Sequence, residues 1–253
     1  MKGFWLITGL CLIVLMSLSA IPQDQAYHDF ADQRQLLGIE HFWNVVSNLP
    51  FLLVGYIGLK ALQDGDALHF PKPLLNCYWV FFFGVFATGI GSMYYHLQPN
   101  NETLLWDRLP MTIAFMAFFS LIIGEYIDEN IGRQVLLPLL LLGITSVFYW
   151  YTTETAGNGD LRPYAFVQFA PMLLIPYILL TQPVRYSHQH YVWAMLLTYL
   201  AAKIFEALDD QVYFVGELLS GHSIKHMCAA LGPYVFLLGL KQRQPIVQAH
   251  DKV

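Results

Sequence analysis

Eight apolar stretches divide this 253-residue chain, at about 4–21, 42–62, 74–95, 107–127, 133–152, 163–182, 189–208 and 222–240. A helix needs about 20 apolar residues to cross a bilayer, because a rise of about 1.5 Å per residue must cover about 30 Å of hydrocarbon. Only 12% of the residues are charged and 56% are hydrophobic, whereas soluble domains carry about 25% charged residues. The expected fold class is therefore all-α: a polytopic transmembrane helical bundle with a seven-helix body and an N-terminal apolar segment. That first segment, residues 1–21, begins after Lys2 and ends in Ser17-Leu18-Ser19-Ala20. It reads equally well as a cleaved signal peptide or an extra transmembrane helix. Residues 22–241 are expected to form one membrane domain, and 242–253 a short polar tail.

Lys and Arg counting sets the expected orientation. With the N-terminus of the first stretch in the cytoplasm, Lys2, Lys60, Lys72, Arg133, Arg185, Lys241, Arg243 and Lys252 collect on the cytoplasmic side. Only Arg34, Arg108 and Arg162 collect opposite, and the outer loops are acidic. The C-terminus is then cytoplasmic. The small formal charge of −5 and the absence of an aromatic-interleaved basic patch give no reason to expect a nucleic-acid partner. Cys11, Cys77 and Cys228 lie in apolar runs without paired spacing, so they read as packing residues rather than a disulfide framework.

Against this apolar background a few polar residues stand out. Ser92 and His96 are four apart at the end of one stretch, Asp107 opens the next, and His222 and His226 open the last. Residues four apart share a helix face. The threading places all five at one level, toward the non-cytoplasmic side. Ionisable side chains near lipid are costly and commonly functional. Three imidazoles with no suitably placed fourth ligand match a catalytic zinc site with one open position, and a water bound there has its pKa lowered toward about 7. In this reading His96, His222 and His226 hold zinc and Asp107 acts as general base on the zinc-bound water. Ser92 donates to the developing oxyanion. The plain alternative is that each is an interfacial polar residue.

Lys203 and Glu206, three apart, are expected to pair within the bundle, with Asp209 and Asp210 at the end of the same helix. Lys225 is expected to snorkel toward the outer headgroups. Asn44, Ser47 and Asn48 are expected to hydrogen-bond between helices.

Several segments together resemble the alkaline ceramidase family, within a wider superfamily of seven-helix membrane hydrolases and receptors. They are Phe42-Trp43-Asn44-Val45-Val46-Ser47-Asn48, Gly89-x-Gly91-Ser92-x-x-x-His96, Asp107-x-Leu109-Pro110-Met111, and His222-x-x-x-His226 with Leu231-Gly232-x-Tyr234. The resemblance implies a zinc-dependent lipid amidase that cleaves ceramide or a related N-acyl lipid into a sphingoid base and a fatty acid, with the membrane lipid as its substrate partner. By position it puts zinc on His96, His222 and His226, and catalysis on Ser92 and Asp107. Animal members of the family also carry a calcium site whose Glu directly precedes Phe-Trp-Asn. Here that position is His41, one residue after Glu40. Asp29, Asp32 and Glu40 are the candidates for calcium in this chain, against a reading as solvated loop acids.

Two readings from other classes compete: a seven-helix receptor or lipid-binding protein with a structural zinc, and a b-type haem protein with histidine axial ligands. Neither tail is long enough to suggest a partner-binding domain, and the haem reading leaves Ser92 and Asp107 without a role.

Overall fold

Capping chemistry extends the helices beyond their apolar runs. The computed structural model of the protein describes residues 2–65 and 68–246; Lys252 and most of the expected tail lie outside the described residues. The helices are α1 (Lys2–Ser17), α2 (Phe42–Val46), α3 (Leu49–Gln63), α4 (Leu75–Leu97), α5 (Asn101–Tyr126), α6 (Glu129–Thr155), α7 (Arg162–Thr181), α8 (His190–Ala207), α9 (Asp209–Gly216) and α10 (Gly221–Gln242). Among the described residues there is no strand, only two isolated bridges. This is a helical membrane bundle.

The fifth helix shows why hydropathy alone misplaces an end. Its apolar run was expected to begin at Asp107, but the helix begins at Asn101. Asn100 accepts hydrogen bonds from the Glu102 and Thr103 amides while the Thr103 hydroxyl accepts from the Asn100 amide. This reciprocal cap satisfies donors that otherwise have no partner. Asp107 consequently sits nearly two turns inside a helix rather than at its mouth. The sixth helix likewise starts early, on an Asp128 cap.

Among the described residues six helical spans are long and apolar enough to cross a membrane, with α2 and α3 together forming Phe42–Gln63. α8 and α9, which turn through 76° at Leu208, make a seventh if the bent pair is counted as one span. The turn was not foreseen, because hydropathy reads composition and not direction. Asp209 and Asp210 open α9, where acidic side chains favour the N-terminal end of the helix dipole. At 16 residues, α1 reaches only about 24 Å. It packs along α7, with Phe4 stacked on Phe119 of α5 at 6.4 Å.

The central helix is α5, 72% buried over its apolar window. It packs between α4 and α6, α3 lies along α4, and α10 runs along α8 and touches α3. Phe81 and Phe82 of α4, Phe118 of α5 and Phe236 of α10 meet edge to face at the heart of the bundle. All three cysteines are free.

At the end away from the histidines, Arg243 ties the last helix to the centre. Its Nη1 and Nη2 donate to the Glu125 carboxylate at 2.8 and 2.5 Å, its Nη2 to Tyr78 Oη at 3.0 Å, and its Nε to the His69 carbonyl at 2.6 Å. Removing one partner strands the other charge in a dry interior, at a cost of about 3–5 kcal/mol. Glu125→Gln and Arg243→Met are each expected to lower the thermal midpoint of the detergent-solubilised protein sharply. A midpoint unchanged in both variants would show that the pair contributes nothing net.

Candidate metal centre

Two helices bring the three histidines together at one end of the bundle. His96 comes from the last turn of α4; His222 and His226 lie one turn apart on the first two turns of α10. All three are buried. Their rings form a near-equilateral triangle with centroids 4.9 Å apart on every side. One nitrogen from each lies within 4.8 Å of the others, and among the described residues this is the one such group of metal-ligating side chains.

The donor set fits a tetrahedral ion. His96 Nε2 and His222 Nε2 are 3.3 Å apart, and two ligands held at about 2.0–2.1 Å in a tetrahedron are separated by about 3.3 Å. His226 is oriented from behind. The Ser47 hydroxyl donates to the Asn44 carbonyl at 3.2 Å, which leaves its oxygen to accept from His226 Nδ1 at 2.8 Å. With its proton assigned to Nδ1, His226 turns a lone pair on Nε2 toward the other two rings. Such an outer partner fixes tautomer and ring plane.

The approach of α10 is set by other polar contacts. Asn44 Oδ1 accepts from the Ser223 hydroxyl at 2.9 Å, and Asp209 Oδ1 accepts from the His222 amide at 2.6 Å. Gly221 makes this possible, since a Cβ there would overlap the Phe205 carbonyl oxygen.

Ser92 and Asp107 are buried and line one cavity together with His226. Gly91 is what brings them side by side: a Cβ there would overlap the Trp106 carbonyl oxygen, so α4 and α5 touch backbone to backbone one residue before each of the two side chains. Asp107 Oδ1 is buried without a hydrogen-bond partner, an unusual state for a carboxylate oxygen. The cavity, of about 280 Å³, runs from this point between α4, α5, α7, α8 and α10, walled mainly by Phe, Met, Ala and Val side chains.

The candidate calcium acids are not gathered. Both Asp32 oxygens are taken by Arg34, at 2.8 and 2.6 Å, and its carbonyl accepts from Asn44 Nδ2 at 3.1 Å. Asp29 and Glu40 do not join it in any group of ligating side chains. The hydrogen-bonded Asp32 carboxylate pushes the Arg34 guanidinium pKa up from its ordinary value.

Lys203 pairs with Glu206 as expected, and Asn44 and Ser47 bond between helices. Lys225 corrects the expectation. It does not reach outward but turns inward onto Glu206 Oε1 at 2.7 Å and lines the cavity, because a carboxylate is within reach and the headgroup level is not needed.

Several residues at the site were not foreseen. Phe30 lies over the histidine cluster, 4.7 Å from the His96 ring and 4.4 Å from that of His222. His28 links Tyr95 and Asn101 at 2.9 Å each. Arg108 stacks on Trp150 and Tyr164 at 4.1 and 4.7 Å, and holds Gln23 at 2.7 Å. The i, i+3, i+4 spacing of Asn44, Ser47 and Asn48 was a signal for the support behind His226. Nothing in the sequence pointed to Phe30.

The chain matches the family model described as Ceramidase over residues 38–251. It therefore belongs to the ceramidase family, and is a hydrolase acting on the amide bond of ceramide. A search of the curated proteins finds no match. The matched region contains the three histidines, Ser92 and Asp107, whereas Phe30 and His28 lie before it.

Ser47→Ala removes the acceptor behind His226 while leaving the three ligands in place. Metal affinity is expected to fall about 10- to 100-fold, measured by competition with a chromophoric chelator. Affinity equal to that of the parent protein would mean that Ser47 does not orient the ring, leaving that to its packing and to Asn48 Nδ2, 3.3 Å from the same nitrogen.

Proposed function

We propose that this chain is a zinc-dependent intramembrane amidase that releases a fatty acid from ceramide or a related N-acyl lipid. What carries the reading is the coincidence of the histidine triangle, a buried carboxylate oxygen with no partner, and an apolar cavity reaching both. His96, His222 and His226 would hold the ion. Bound there, it supplies Lewis acidity for the amide carbonyl and eases the deprotonation of water.

The remaining roles belong to the protein's own groups. Asp107, with Oδ1 free, accepts a proton from the attacking water and delivers it to the leaving nitrogen. The C–N bond breaks as that nitrogen becomes an amine and the acyl carbon becomes a carboxylate. Ser92, one turn before His96 on the same face of α4, donates its hydroxyl proton to the carbonyl oxygen as charge develops there. Gly91 keeps these two groups adjacent. The cavity takes acyl chain from the bilayer side. Phe30 covers the histidines from the loop side, which limits access of bulk water and strengthens electrostatic interactions inside.

The same reading keeps residues 22–241 as one membrane unit, with 1–21 as the added N-terminal segment. It places the C-terminus in the cytoplasm and the site toward the opposite face, on the Lys and Arg distribution. A calcium site at Asp29, Asp32 and Glu40 finds no support in the side-chain positions.

The test uses purified, metal-analysed protein and measures fatty acid released from ceramide. Asp107→Asn is expected to lower the rate by about 100-fold or more, the scale of a lost general base, with zinc content unchanged. A zinc-loaded Asp107→Asn variant with full activity would exclude the mechanism.

A further inference from the structure

Beyond the reacting groups, the cavity wall carries a second set of charges with no role so far. Lys203 and Glu206 of α8 and Lys225 of α10 line the same cavity as Asp107 and His226. Glu206 Oε2 pairs with Lys203 Nζ, and Glu206 Oε1 with Lys225 Nζ at 2.7 Å. One carboxylate thus serves two ammonium groups, leaving one positive charge in excess.

The donor inventory points the same way. An ammonium has three N–H donors and no acceptor, yet among the described residues each lysine has Glu206 as its one hydrogen-bond partner. Tyr27 adds a weak hydroxyl contact to the same carboxylate, at 3.4 Å. Arg108, on the same wall, leaves its buried Nη1 without a partner. The cavity wall carries three cations, Lys203, Lys225 and Arg108, against two carboxylates, Glu206 and Asp107, the second of which belongs to the reacting groups. A pairing that served only to fasten α8 to α10 would need one lysine and would not have to face the cavity.

We infer that Lys203, Glu206 and Lys225 form a headgroup subsite that selects N-acyl lipids carrying an anionic group, phosphate or carboxylate, on the amine side of the amide. This inference rests on the amidase reading of the same cavity and names the substrate class that reading leaves open. Glu206 holds the two ammonium groups together. The anionic oxygens of the lipid take the N–H donors that Glu206 does not use. The amide then lies between this subsite and the histidines, with the acyl chain in the apolar part of the cavity.

Two matched pairs of lipids test it on the zinc-loaded protein in nanodiscs: ceramide 1-phosphate against ceramide, and an N-acylglycine against the corresponding N-acylethanolamine. The two pairs separate a phosphate from a carboxylate as the preferred anion. Fatty-acid release gives kcat/KM for each, and equilibrium binding is measured on the Ser92→Ala variant. The anionic member of at least one pair is expected to be favoured about tenfold or more, equivalent to about 1.4 kcal/mol. Lys225→Met and Lys203→Met should each reduce that ratio. Glu206→Gln should raise it, because two ammonium groups then lack their shared counter-ion. A merely structural cluster would lower stability in all three variants and leave the ratio alone. Equal or neutral-favouring ratios in both pairs, or ratios unmoved by all three substitutions, would overturn the inference. Binding ratios that follow this pattern without fatty-acid release from any lipid would sustain the subsite and reject the amidase reading.

Discussion

A polar group placed in hydrocarbon has to find its partner within the protein, and that requirement decides how α10 meets the rest of this bundle. The His226–Ser47 hydrogen bond is the centre of the arrangement. Around it, Asn44 reaches Ser223, and Asp209 reaches the backbone of His222. Apolar side chains alone would leave α10 free to slide or rotate, since lipid is as good a neighbour as another apolar helix. The polar contacts allow one register only. In that register the imidazoles of His222 and His226 arrive beside that of His96.

Two glycines make the approach sterically possible. Gly221 lets the start of α10 lie against the bend between α8 and α9, and Gly91 lets α4 lie against α5. The first sets the position of the His222 and His226 pair, the second that of Ser92 beside Asp107. The far end of the bundle is closed by Arg243, Glu125 and Tyr78. The cavity lies among the same helices that these two polar clusters fasten. Residues 18–41 complete it from the loop side, with Phe30 against the histidine rings and Asp32 locked to Arg34.

Much of this was legible in the chain. Apolar runs of about twenty residues announced the spans, and three histidines with a serine and an aspartate at one threading level announced the site. Spacing carried that information, because four residues on a helix return to the same face. Other features were not readable because they depend on the third dimension. The bend at Leu208 leaves no trace in hydropathy. The Asn100 cap adds six residues, Asn101 to Trp106, to α5 ahead of its expected apolar run. Lys225 was expected at the lipid surface, since its partner Glu206 lies nineteen positions away on another helix. Phe30 belongs to an irregular segment whose packing no periodicity encodes.

The central matter is whether three imidazoles from two helices share one ion. X-ray absorption at the zinc edge of the purified protein addresses it without reference to activity. One zinc per chain is expected, with about three imidazole nitrogens at roughly 2.0–2.1 Å and a light-atom fourth ligand; His226→Ala should remove this signature. A protein that retains no zinc, or one whose zinc shows the same imidazole shell after that substitution, would contradict the site described above.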